Sequence, residues 1–241
     1  QAAYLAQQGF TGAQHIFEGP QGIGAAMSTD TDLSRLTDGL VKRWALTETS
    51  FKFHAACRHT HPAADALAQV MHVHQLKADD IATVTAKVHQ AAIDVLGPAA
   101  NPQTVHQSKF SMGRVLGLIA IKNTADLVNF DQGLHDPEII AFAQRVTMQF
   151  DEEVEQAYPA RWLGRVAVTT NDGRLFEGHV DEPKGDPGNT LSRTEIEAKV
   201  RRLAAYGLKN MSQAKIDQGI STLIQNVWSL HRLETLPAFR F

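Results

Sequence analysis

The apolar positions of the chain recur mainly at helical spacing. Ile216, Ile220, Leu223, Ile224, Val227 and Leu230 form a single stripe that predicts a helix with one buried face. A second helix is signed at both ends. Ser192 and Glu195 make a capping box, Leu191 and Ile196 sit where a hydrophobic staple closes, and Gly207 follows Tyr206 as a stop. Asp136-Pro137 is a capping acid followed by proline at the first helical position, with Ile139, Ile140, Phe142, Ala143 and Val146 expected inward. Pro62 opens another helix with Ala63, Leu67, Val70 and Met71 inward. Thr104 and Gln107 read as a capping box ahead of one helix from Val105 to Ile121.

Period-two alternation is rarer. Ala82, Val84, Ala86 and Val88 share one face of a strand, and Thr147 to Asp151 adds another. Leu163 to Thr170 and Arg174 to Val180 flank Asn171-Asp172-Gly173, whose residues tolerate positive φ and predict a hairpin turn. Trp44 to Phe53 favours a strand near its end, and Asp181 to Asn189, rich in Gly, Pro and Asp, is a loop. Strands do not alternate regularly with helices, which argues against a doubly wound sheet. The expected fold class is α+β: a small, mostly antiparallel sheet with helices on one face, flanked by helices at both ends.

With 241 residues, 43% of them apolar and 20% charged, the chain has the composition of a globular protein. Its net charge of -3 disfavours a nucleic-acid partner, which calls for excess positive charge. Neither terminus carries an apolar run of about 18 residues, so no membrane span is expected. The lone Cys57 excludes an intramolecular disulfide and a Cys-only zinc site, and a reducing, cytoplasmic location fits it best. The opening Gln1-Ala2-Ala3-Tyr4-Leu5 lacks the basic start of a signal peptide and reads as the back half of a helix, as in a piece cut from a larger protein.

The densest polar cluster runs from Lys52 to His61 and holds Lys52, His54, Cys57, Arg58, His59 and His61 ahead of the Pro62 helix. Backbone N–H groups at a helix start favour an anion, and arginine can hold a carboxylate through two parallel bonds. Histidine exchanges protons near neutral pH. The combination suits a substrate with several carboxylates and a reaction that moves a proton. The competing readings are a surface histidine cluster, a zinc site and a thiol nucleophile. Zinc is disfavoured because no second Cys and no adjacent acid complete a ligand set, and a lone Cys is more often a buried apolar residue. Ser111 and Arg114 share a helix face in Gln107 to Arg114, and Glu182 to Pro187 reads as a structural loop.

Several stretches, taken in order, resemble the MmgE/PrpD family, which includes 2-methylcitrate dehydratase, cis-aconitate decarboxylase and iminodisuccinate epimerase. They are Phe10 to Ala13 with Phe17 to Gly22, Lys52 to His61 with Asp65, Ser108 to Ser111, Tyr158-Pro159, and Pro183 to Pro187 with Lys199. The resemblance implies an all-helical domain joined to an α+β lid, an active site in the cleft between them, no metal or organic cofactor, and a homodimer. On that reading residues 1–43 belong to the helical domain, 44–190 form the lid, and 191–241 return to the helical domain, most of which lies upstream. The resemblance implies Lys52, His59 and His61 as catalytic residues and Arg58, Cys57 and Ser111 as substrate-binding ones. Two positions depart from the family. A histidine stands near Cys57 in decarboxylase-like members, and tyrosine is frequent at Arg114. The implied activity is a cofactor-independent dehydratase acting on a small hydroxy-polycarboxylate. The alternatives are an isomerase or epimerase of a related dicarboxylate, or an inactive fragment that only binds a partner domain.

Overall fold

The computed structural model describes residues 1–232 and 234–235. Residues 236–241, which the sequence assigns to the C-terminal helical segment, lie outside the described residues. The chain divides into two compact units, Gln1–Glu48 and 49–241.

The first unit contains α1 (Ala2–Gln7), α2 (Ile23–Met27) and short 3-10 turns at Leu33–Leu36 and Ala45–Glu48. None of its large apolar side chains is buried. Tyr4, Phe10, Met27, Trp44 and Leu46 are each more than half exposed.

The second unit is α+β. It comprises α3 (His61–Val73), β1 (Ile81–Val88), α4 (Gln90–Leu96), α5 (Val105–Ser108), α6 (Met112–Lys122), α7 (Leu127–Gly133) and α8 (Pro137–Ala143). β2 (Val146–Phe150), α9 (Glu152–Ala157), β3 (Gly164–Thr170), β4 (Leu175–Val180), α10 (Arg193–Gly207) and α11 (Gln213–Ser229) complete it. The sheet order is β2-β1-β3-β4. Two of its three pairings are antiparallel, and β1 with β2 is parallel. A parallel neighbour requires a long crossover, and α4 through α8 supply it. The expected mostly antiparallel sheet with helices on one face is therefore present, with one parallel edge.

Val84, Ala86, Val88, Val166 and Val168 point to the covered face, where α3 packs with Leu67 and Val70 and the core continues through Leu116 of α6 and Phe130 of α7. The other face is polar and carries ion pairs, Lys87 with Glu177 at 3.3 Å and Arg165 with Glu153 at 2.8 Å. Buried side chains line almost the whole of α6, which is enclosed between α3 and α8. α10 and α11 close a separate small core around Ile216, Ile220 and Ile224.

Local signals place most elements. The capping box at Ser192 and Glu195 forms in both directions, and Asp136 accepts from the Glu138 N–H at 3.0 Å. The Asn171-Asp172-Gly173 turn closes with Gly173 at φ +83°. Four expectations are corrected. No strand forms at 49–53, because Phe51 finds one carbonyl, that of Gly185, and no ladder. The helix expected from Val105 to Ile121 is two, since Ser111 caps a fresh start and the Lys109 carbonyl is taken by Cys57 N–H at 2.8 Å. Val146 belongs to β2 rather than to the preceding helix. A register shift between Ile81 and Thr83 puts Ile81, not Ala82, among the fully buried residues of β1.

Candidate active site

Residues 51–60 form an irregular ribbon that other segments hold in place. Phe51 N–H donates to Gly185, Ala55 N–H to Ala125 and Cys57 N–H to Lys109, each at 2.8 Å. Lys199 Nζ, on α10, donates to the Phe53 carbonyl at 3.1 Å. Scattered anchors do the work that a sheet ladder would otherwise do. A 3-10 turn over Arg58–Thr60 then leads into α3, with Pro62 near its start.

Two carboxylates tie this ribbon to the loop after β4. His54 Nε2 lies 2.9 Å from Asp65 Oδ1, and Asp65 Oδ2 accepts the Lys184 N–H at 2.6 Å. Arg58 Nη2 donates to Asp186 Oδ1, and the Arg58 guanidinium lies 5.3 Å from the centre of the Trp162 ring. Its other amino group, Nη1, is buried without a partner among the described residues.

His59 Nδ1 faces His89 Nε2 at 3.2 Å. His89 stacks on Tyr158 at 3.9 Å, and Trp162 lies 5.2 Å from His59. Burial lowers the pKa of both histidines, so both are neutral near pH 7. Lys52 is exposed and makes no side-chain hydrogen bond or ion pair among the described residues. Cys57 is half-buried against the main core. Ser111 is buried and its hydroxyl caps α6 through the Arg114 N–H. Arg114 is buried as well, with Nη1 unpartnered.

His61 is fully enclosed, with Nε2 3.4 Å from the Ala56 carbonyl. Burial, with the nearby His54 and Arg58 charges, pulls its pKa from 6.5 down to about 2. The unfolded chain therefore takes up a proton near pH 6.5 that the folded state refuses. Stability is full above that pH and falls as pH drops toward 2, by about 1.4 kcal/mol per unit for this group. His59 and His89, shifted the same way, add to the loss. Denaturation midpoints between pH 6 and 4 should show about 2.5 kcal/mol lost through His61. The slope should flatten by about one proton in His61→Gln, and an unchanged slope would remove His61 from this account.

Arg58 and His59 thus share one cluster with His89, Tyr158, Trp162 and Asp186. Sequence reasoning missed His89 and Trp162 and gave Asp186 only a structural role. His89 directly follows β1, so its only signal is a place at a strand end. Among the described residues no group of three or more His, Cys, Asp or Glu side chains is placed to hold a metal ion, and no helix is long and apolar enough to cross a membrane.

A comparison with the curated proteins gives no match. The model of the MmgE/PrpD C-terminal domain matches residues 54–223. That span begins inside the anchored ribbon and takes in the whole sheet, the Arg58–Asp186 tie and most of α11, so the chain belongs to the MmgE/PrpD family.

Proposed function

We propose that this chain is the C-terminal part of a lyase of the 2-methylcitrate dehydratase type, acting on a small hydroxy-polycarboxylate. The observation that carries the reading is the cationic turn itself: Arg58, paired with Asp186 through one amino group and with its side chain still partly exposed, stands beside the half-buried His59 and follows the exposed Lys52. Lys52 and Arg58 hold the acid groups. The C–H bond next to a carboxylate breaks as a basic side chain contributed by the upstream half of the cleft takes its proton, the C–H electron pair forms the double bond, and the hydroxyl group departs with its bonding pair and that proton as water. Positive charge near the developing enediolate lowers the barrier. His59, in the turn, is the histidine assigned to meet the substrate, since His61, at the start of α3, is enclosed by the core. Cys57 and Ser111 shape the wall behind them. No organic cofactor or metal takes part in this scheme. An upstream helical domain closes the cleft and the protein works as a cytoplasmic homodimer.

Two measurements test this. Full-length protein incubated with candidate acids in deuterated water should release water and form the unsaturated acid. Solvent deuterium entering recovered substrate without loss of water would replace dehydration with epimerisation. Lys52→Ala should cut turnover about a hundredfold with the fold intact, since a carboxylate clamp acts on transition-state charge. Near-normal kinetics in that variant would take Lys52 out of the site.

A further inference from the structure

The approach of His59 Nδ1 to His89 Nε2, between rings tilted by 53°, assigns a role that the identity of the residues alone leaves open. Two neutral imidazoles at 3.2 Å share one hydrogen between the facing nitrogens. If His59 Nδ1 carries it, His89 must bear its own hydrogen on Nδ1. That atom is buried and has no partner among the described residues. The carboxylate whose charge bears on His89, that of Glu155, takes the Gln90 N–H at 2.7 Å instead. If His89 Nε2 carries the hydrogen, only a lone pair is stranded on Nδ1. A buried N–H without an acceptor is the rarer and costlier defect.

We infer that His89 donates its Nε2–H to His59 Nδ1, so that His59 presents its own Nε2–H toward the substrate as a neutral hydrogen-bond donor and is not the proton-abstracting base. The ligand group is the carboxylate or enediolate oxygen that gains charge in the reaction. His89 is a positioning residue. It is 5% exposed, stacked on Tyr158 at an interplanar angle of 11° with Trp162 against its edge, contacts that fix the plane of its ring. Burial favours the neutral state of both rings, which keeps the arrangement in place near pH 7. A neutral donor aimed at the oxygen adds to the Arg58 and Lys52 charges without having to lose a proton. The substrate part of this assignment rests on the proposed lyase activity, and the tautomer does not.

Full-length protein labelled with 15N-histidine reads the tautomer directly through long-range proton–nitrogen correlations at pH 7, with no substrate present. His59 signals are assigned by their loss in His59→Gln. The expected spectrum has Nε2 protonated and Nδ1 bare on both rings. A bare Nε2 on His59 overturns the inference by itself. His89→Phe should return His59 to a mixture of tautomers, and His89→Gln, whose amide can donate, should preserve the Nε2–H form. A His59 tautomer indifferent to both changes would remove His89 as the cause. In turnover, His59→Ala should lose about a hundredfold, while His59→Gln, which keeps an N–H donor but is no base, should stay within about tenfold of the parent. Equal losses in the two variants would mean that His59 does act as the base. Protein with the expected spectrum but no lyase turnover would sink the proposed activity and leave the tautomer standing.

Discussion

Replacing Arg58 with Met is expected to cost about 3 kcal/mol of stability and to lower turnover of the full-length protein at least a hundredfold. The stability loss comes from the partner left behind. Asp186 is 6% exposed and faces Arg58 across a direct ion pair. Met matches much of the arginine's length but leaves a buried carboxylate with no counter-charge, and breaking one side of such a pair is the costly case. Replacing both residues, as Arg58→Met with Asp186→Leu, removes the orphan and should restore most of the stability. Turnover should stay low in the double variant, because the proposed function needs the Arg58 charge to hold the substrate. Urea titrations of the two single variants and the double one isolate the coupling. Simple additivity, or an Arg58→Met protein as stable as the parent, would show that the pair contributes nothing beyond its surroundings. Recovered turnover in the double variant would remove Arg58 from the site.

Gly164→Ala is expected to destabilise by about 3 kcal/mol and to lower the melting temperature by roughly 6–12 °C. A Cβ built at Gly164 falls on the Pro62 carbonyl, and one at Gly178 would lie 2.7 Å from both the Ala66 carbonyl oxygen and Val70 Cγ2. The first two turns of α3 therefore rest backbone to backbone on the β3–β4 hairpin. A methyl group at Gly164 meets main chain, which cannot rotate away as a side chain would. The displacement would also move Asp65, and with it the His54 and Lys184 contacts that fasten the ribbon. Gly97→Ala is the control. It has nothing within 4 Å, so its effect should stay within about 0.5 kcal/mol. An unchanged melting temperature in Gly164→Ala would mean that α3 and the hairpin can separate freely, and the ribbon would then need some other support.

The parts of the fold legible in advance were those whose physics is local. Ser192 with Glu195, and Asp136 through the Glu138 N–H, satisfy N–H groups within their own first turn, Pro137 has none to satisfy, and the helices follow. The misread segments had partners far away in sequence. The end of Trp44 to Phe53 suggested a strand, yet Phe51 N–H goes to Gly185, and just beyond it Ala55 and Cys57 N–H go to Ala125 and Lys109. The break at Lys109–Ser111 is legible only once Cys57 is known to take the Lys109 carbonyl.

At the candidate site the same division holds. The types and crowding of Lys52, Arg58, His59 and His61 were visible in the chain, and with them the positive charge and proton chemistry on which the proposed function rests, because these belong to each side chain before it folds. Packing alone could decide which of these groups stays free. It enclosed His61 in the core, left Lys52 in water, and gave Arg58 a partner 128 positions further along the chain and His59 one 30 positions away. Burial and long-range pairing depend on how elements stack, and no spacing within a ten-residue stretch encodes them.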